Sequence, residues 1–420
     1  MNTSSRLSRS FILTGALLAL ALFLSSPALA RSVEQQKAMD WLNSYAAEML
    51  QSRPHFIGYP INQDTELAGF YEWYKESGLY EAAMNNVGDP YKTSSLLLNS
   101  HPFERDVIDY FAPRFGFDKD YWGFVTASGT DGNNHGMYFG KKVLQAQSDL
   151  PPLAYVSEEA HYSIKKLADV QGLELRLIKA DPMGRMDLAD FEAQLDPTRP
   201  ALVVIAMGTT FKGGIDNQMG INAILEKVGP PAVYRHQDAA LFGSILGFLP
   251  PPASDLVNSA KMGFDSIAIS GHKFWGLDEP AGVFISTQYV RDNINPFEVA
   301  YLKDAVPTIT CSRSAISPLK LWWKITFSEP NVFENQAAQL IASAEYLHAE
   351  LQKLGIKSWL NEYSNTVFFE RPSQMIMDYY GLAPDENPEQ GKLAHVLIMQ
   401  HVSKDLLDTF IADMKKDFGK

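Results

Sequence analysis

Lys273 stands in Ser270-Gly271-His272-Lys273, directly behind the apolar run 266–269, and is trailed by Phe274, Trp275 and Gly276. Burial at a strand end disfavours an ammonium, and an imine to an aldehyde cofactor removes that penalty while creating a catalytic group. Asp238, in His236-Gln237-Asp238-Ala239-Ala240, follows a second β-type run at 232–236 and is flanked by small residues. A carboxylate there can pair with a protonated pyridine nitrogen and turn the ring into an electron sink. The stretch Ser128-Gly129-Thr130-Asp131-Gly132-Asn133 leads from an apolar run into a helical pattern. Glycine lets backbone amides approach an anion, the hydroxyls donate to it, and the helix N-terminus adds a favourable dipole, so this loop fits a phosphate. His161, in Glu159-Ala160-His161-Tyr162-Ser163 between a strand and a helix, can stack on an aromatic ring beside a reacting carboxylate.

Each feature alone has a plainer reading: a surface lysine with a packed stem, a helix-capping aspartate, an ordinary glycine turn, a satisfied structural histidine. Their combination carries the information. The chain has neither an H-E-x-x-H motif nor a close His/Asp/Glu cluster at ligand spacing, so no metal site is expected.

The order of motifs adds a second kind of argument. SGTDGN at 128–133, AHYS at 160–163, MGTTFKG at 207–213, DAALFG at 238–243 and SGHKFWG at 270–276 succeed one another along the chain. That series resembles the group II pyridoxal-phosphate (PLP) amino-acid decarboxylases, in the branch holding bacterial histidine decarboxylase and plant serine decarboxylase, from about Gly58 to the C-terminus. The resemblance implies that Lys273 is the Schiff-base lysine, Asp238 the partner of the pyridine nitrogen, and His161 the residue that stacks on the ring and approaches the substrate. It implies phosphate contacts from Thr130, Ser270 and His272, with Gly129 and Asn133 in the same loop, Ala240 on the ring face opposite His161, and Thr210 near the cofactor's edge. The implied fold is α/β, PLP fold type I (aspartate-aminotransferase-like), as a homodimer with shared active sites.

The implied reaction is decarboxylation of an L-amino acid, histidine to histamine, with serine to ethanolamine as the alternative. Another PLP lyase, aldolase or aminotransferase reaction is a further reading, and a non-catalytic dimeric binding protein is the reading from a different class. Two departures bear on substrate choice: Cys311-Ser312-Arg313-Ser314-Ala315 replaces a G-S-R-N-G pattern, and Glu279-Pro280-Ala281-Gly282 replaces a P-C-G pattern. The first is expected to reach the neighbouring subunit's site, with Ser312 contacting substrate.

These residues need strands to carry them. Runs at 153–156, 173–178, 201–207, 232–236, 266–269 and 282–285 alternate with helical stretches, which predicts a mostly parallel central sheet with helices on both faces. Ahead of them, helical spacing predicts an amphipathic helix over 32–51 that needs a partner surface, an extended segment over 55–64 and a helix over 104–115. Beyond 307, helices at 318–327, 331–354 and 403–418 with β runs at 366–370 and 394–399 predict a small α+β domain. The expected divisions are 1–30, 31–100, 101–306 and 307–420.

The whole is an ordinary globular composition, 46% hydrophobic and 20% charged over 420 residues. A net charge of -13 argues against nucleic acid or an anionic membrane as partner, and the single Cys311 excludes an internal disulfide. At the start, Arg6 and Arg9 precede an apolar run from Phe11 to Leu24 that closes on Ala28-Leu29-Ala30. This reads as a signal peptide cleaved after Ala30, giving a periplasmic or secreted enzyme, or a cytoplasmic one if the signal is not used. Its relatives in the branch are typically intracellular, so an exported chain would acquire PLP after crossing the membrane. No later apolar run approaches the length of a membrane span.

Overall fold

The computed structural model describes residues 32–294, 296–300 and 304–420, so the expected leader at 1–30 lies outside the described residues. The chain divides into two compact units, one ending at Pro54 and the other running from His55 to Lys420. In the first, the helix Val33–Ser52 starts on a reciprocal cap: Ser32 Oγ accepts from the Gln35 amide (3.2 Å) and Gln35 Oε1 accepts from the Ser32 amide (2.9 Å). Its apolar residues Trp41, Leu42, Tyr45 and Leu50 are all exposed.

The second unit is organised by a seven-stranded sheet. Its strands are β1 (Tyr121–Thr126), β2 (Leu153–Ser157), β3 (Glu174–Ile178), β4 (Ala201–Ala206), β5 (Val233–Asp238), β6 (Ser266–Ser270) and β7 (Gly282–Thr287), in the spatial order β1-β7-β6-β5-β4-β2-β3. Strands β2 to β6 pair in parallel, and β7 is antiparallel to both its neighbours. Both faces are covered, and the period-2 alternation of β4 shows it directly: Leu202 and Val204 pack with Met137 and Phe139 in one core, while Ala201, Val203 and Ile205 belong to the other.

The helix Gly129–Gln147 lies unusually close to this sheet. A Cβ on Gly136 would come within 2.3 Å of the His236 ring, and one on Gly129 within 2.4 Å of Ser270 Oγ, so only glycine permits the approach that aims the helix N-terminus at the carboxyl ends of β5 and β6.

A four-stranded antiparallel sheet, β8 (Ser358–Leu360), β9 (Thr366–Glu370), β10 (Ala383–Asn387) and β11 (Gly391–Leu397), has the order β8-β9-β11-β10. The large sheet falls inside 101–306 and this one inside 307–420, yet both belong to the single unit His55–Lys420.

Local chemistry accounts for the departures from expectation. The helix expected over 104–115 is His101–Phe111 and gives way to a 3-10 turn at Pro113–Phe115, where proline interrupts the hydrogen-bond ladder. β1 was not foreseen, because Gly123 sits at its centre. β10 was not foreseen either, since Ala-Pro-Asp-Glu-Asn is a polar edge sequence with no hydrophobic alternation. Among the described residues no helix is long and apolar enough to cross a membrane.

Candidate active site

Strand ends build the site. β1, β2, β4, β5 and β6 deliver, at or just beyond their carboxyl ends, Ser128, His161, Thr210, Asp238 and Lys273 respectively, to one cavity of about 310 Å³. Gly129, Thr130 and Asn133 line it from the helix N-terminus, Ser270 from the last position of β6, and Ala240 and His272 from the turns after β5 and β6. The structure thus brings together every predicted site residue but one. Ser312 does not line this cavity: it pairs with Val87 in a two-residue ladder, and its Oγ accepts from Asn85 Nδ2 at 3.1 Å.

Lys273 is held in place by its successors in the chain. Phe274 and Trp275 are fully buried, Trp275 Nε1 donates to Ser244 Oγ (2.9 Å), and the Phe274 carbonyl accepts from Asn62 Nδ2 (3.2 Å) and Gln400 Nε2 (2.8 Å). With its backbone pinned and its side chain in the cavity, Lys273 cannot withdraw its amine to bulk water. Burial pushes that ammonium below the usual lysine range, and the nearby Asp238 carboxylate offsets part of the effect.

His161 caps the helix Tyr162–Val170. Its Nδ1 accepts from the Ser163 amide (3.3 Å) and lies 2.7 Å from Ser163 Oγ, so the neutral ring carries its proton on Nε2. Burial holds its pKa below the ordinary histidine value; Lys273 and Lys166 act in the same sense and Asp238 opposes them. His272 also titrates low, first through burial and then through Lys273. Its Nδ1 donates to the Ala281 carbonyl at 3.3 Å.

The Asn133 side chain is fixed by a buried relay. Tyr234 OH donates to Ser266 Oγ (2.8 Å), Ser266 Oγ pairs with His236 Nδ1 (2.9 Å), and His236 Nε2 pairs with Asn133 Oδ1 (3.0 Å). Burial lowers the His236 pKa to about 4. Below pH 6.5 the unfolded chain protonates this residue while the folded one resists, so the folded state loses stability as pH falls from about 6.5 to about 4. That loss is about 3 kcal/mol. Urea unfolding of His236→Gln beside the parent, at pH 7 and pH 4.5, is expected to show a shallower acid loss in the variant; parallel losses would mean that His236 is not the titrating group.

Sequence reasoning missed three parts of the wall: Pro60 from the extended segment after His55, Thr366 from β9 and Leu397 from β11. The sequence shows the extended character of 55–64 and the β runs at 366–370 and 394–399, but not that they reach the cavity. Among the described residues no cluster of three His, Cys, Asp or Glu is arranged to hold a metal.

The residues present fit pyridoxal phosphate: a buried amine for its aldehyde, a carboxylate for its ring nitrogen, and a glycine cradle at a helix N-terminus that a Cβ would fill. Comparison with known proteins decides the matter. The family described as "Pyridoxal-dependent decarboxylase conserved domain" matches residues 139–367. The chain is 32% identical over 389 residues to serine decarboxylase 1 of Oryza sativa subsp. japonica, covering 91% of this chain and 76% of that one. It is 33% identical over 383 residues to histidine decarboxylase of Solanum lycopersicum, covering 90% and 88%. The chain belongs to the pyridoxal-dependent decarboxylases. An L-methionine decarboxylase structure from Streptomyces sp. 590 shares the fold of this decarboxylase, with a TM-score of 0.77 at 21% identity over 94% of this chain and 97% of that one. The decarboxylase is therefore a PLP-dependent amino-acid carboxy-lyase of fold type I.

Proposed function

We propose that this decarboxylase acts on a small polar amino acid, L-histidine, releasing histamine and carbon dioxide. The observation that carries the reading is the wall of the cavity. Among its described residues the ionisable groups are His161, Asp238, His272 and Lys273, all assigned to the cofactor in this reading, and the remaining side chains are uncharged: the Asn133 amide at the phosphate loop, and otherwise apolar or hydroxylic groups including Pro60, Leu397 and Thr366. A glutamate or lysine side chain finds no counter-ion there, whereas a neutral polar one meets hydroxyls and apolar surface. Serine shares these properties and is the alternative, and similarity to serine and histidine decarboxylases is equal.

When bound, the cofactor supplies an electron sink for the bonding pair left as carbon dioxide departs. Lys273 Nζ, kept below the usual lysine range, would bind the cofactor's aldehyde carbon and could move a proton to the substrate carbon. The Asp238 carboxylate would hold a proton on the ring nitrogen. His161 would stack on the ring and approach the substrate carboxylate, and Ala240 would pack on the ring as well. The Gly129 and Thr130 amides, Ser270 and Asn133 would bind the phosphate, and Thr210 would border the ring. His272 donates Nδ1–H to Ala281, so contact with phosphate requires its imidazolium, which a neighbouring dianion stabilises. Ser312 contacts the substrate held by a partner in a homodimer.

Carbon dioxide release and amine identity, measured on the purified chain from Arg31 with PLP and each standard amino acid, test the reading. Histamine from histidine supports it. Ethanolamine from serine with no histamine transfers the assignment to serine, and keto acid without carbon dioxide overturns decarboxylation.

We separately propose that Arg6, Arg9, the apolar run from Phe11 to Leu24 and Ala28-Leu29-Ala30 act as a cleaved signal peptide that puts the mature protein in the periplasm or outside the cell. N-terminal sequencing of the protein recovered from a periplasmic or culture fraction is expected to begin at Arg31; an intact Met1 in the cytosol would overturn export.

A further inference from the structure

We propose that Lys212 and Glu159 form a strut that positions His161, joining the turn that carries this histidine to the loop bordering the far side of the cavity. The two side chains make an ion pair, Lys212 Nζ to Glu159 Oε1 at 2.9 Å, with the Lys212 side chain 1% exposed and that of Glu159 23% exposed. An ammonium so fully withdrawn from water needs its partner, so the pair has one geometry rather than many. The Lys212 stem is confined as well: a Cβ on Gly184, itself at φ +84, would come within 3.0 Å of Lys212 Cβ.

The loop end of the strut is rigid. Thr209 Oγ1 accepts from the Gly214 amide (2.9 Å), Asn361 Nδ2 donates to the Lys212 carbonyl (2.9 Å), and His395 Nδ1 donates to the Phe211 carbonyl (2.7 Å). His395 also stacks on Phe211 with centroids 4.4 Å apart, and its Nε2 lies 3.1 Å from the Gly58 carbonyl, two residues before Pro60 of the cavity wall. Gly208, Thr209 and Thr210 of this same loop line the cavity.

The other end is a short turn. Between Ser157 and Tyr162, Glu158 is tied to the neighbouring strand, its amide donating to the Ile178 carbonyl (2.8 Å) and its Oε1 accepting from the Ala180 amide (3.1 Å), whereas the Glu159 amide donates to Ser157 Oγ (3.2 Å) and the Ala160 amide to the Ser157 carbonyl (3.1 Å), bonds local to the turn. Among the described residues the His161 ring is hydrogen-bonded only forward, to Ser163. The Glu159 carboxylate therefore adds a long-range restraint nearer the ring than that of Glu158, and it refers His161 to the loop that borders the cavity. Neither Lys212 nor Glu159 lines the cavity, and they act through His161.

The inference rests on His161 lying against the bound cofactor, and the test separates the two claims. Visible circular dichroism of the bound cofactor and steady-state kinetics are compared for the full PLP-loaded chain, His161→Asn, Lys212→Met, Glu159→Gln and the Lys212→Met/Glu159→Gln pair. Lys212→Met is expected to lower kcat roughly 10- to 100-fold, as small displacements of a reacting group do. It should also move the dichroism toward that of His161→Asn, and the double variant should be no worse than Lys212→Met alone. If Lys212→Met does not fold, Glu159→Gln carries the test, since the amide keeps an acceptor for the lysine while removing the charge. Unchanged kcat and dichroism in whichever single variant folds, or strictly additive losses in the pair, overturn the strut. An unchanged dichroism in His161→Asn overturns the placement of His161 instead.

Discussion

Lys273→Ala is expected to lower kcat on the order of 10⁴-fold or more, because the substitution removes both the covalent anchor for the cofactor and the amine placed to move a proton. The apoprotein should not suffer. The ammonium is disfavoured by burial in the free site, and the backbone at 273–275 is held by Trp275, Asn62 and Gln400 rather than by the lysine head. Thermal unfolding of the cofactor-free variant is thus expected at or above that of the parent, while the covalent cofactor absorbance vanishes. A variant retaining a tenth of the parental carbon dioxide release would remove Lys273 from its role.

Asp238→Asn should be the next most damaging change. Asp238 ends β5 and is 7% exposed, between His161 and Lys273 in the electrostatics of the site. Asparagine preserves the shape but has no charge with which to hold a proton on a pyridine nitrogen, and preorganised charge of this kind is typically worth about 10²- to 10³-fold in kcat. The lysine feels the loss as well. Asp238 is what raises its pKa against burial, so the Lys273 pKa should fall further in the variant. Both effects are read from kcat and from the pH titration of the bound cofactor's visible band; a loss under tenfold with an unmoved titration would assign the ring nitrogen another partner.

Much of this site was legible beforehand because its residues sit in local patterns. A lysine, an aspartate and a histidine each follow an apolar β run, and a glycine-rich loop precedes a helix, so the sequence neighbourhood already states their backbone setting. The glycines of 129–136 are the clearest case. In the sequence they mark a phosphate loop; in the fold Gly136 also admits the His236 ring, which bonds the Asn133 side chain. Nothing local to Asn133 announces that relay, whose members Tyr234, Ser266 and His236 lie a hundred residues away or more.

The sequence by itself determined the chemical inventory, the family and the parallel sheet, since strand periodicity and turn chemistry are short-range properties that residue types report directly. It also determined that the residues directly after Lys273 would be buried, as Phe274 and Trp275 are, leaving the lysine half-buried at the cavity. Only the tertiary structure decided which walls close the cavity and what holds them. Pro60, Thr366 and Leu397 converge on the site from both ends of the chain, and the His395 ring lies 3.1 Å from the Gly58 carbonyl across 337 positions. Lys212 meets Glu159 across 53 positions. Pairings of that reach arise from packing two sheets and a peripheral irregular segment into one core, where each contact depends on every other, and no local pattern encodes the partner.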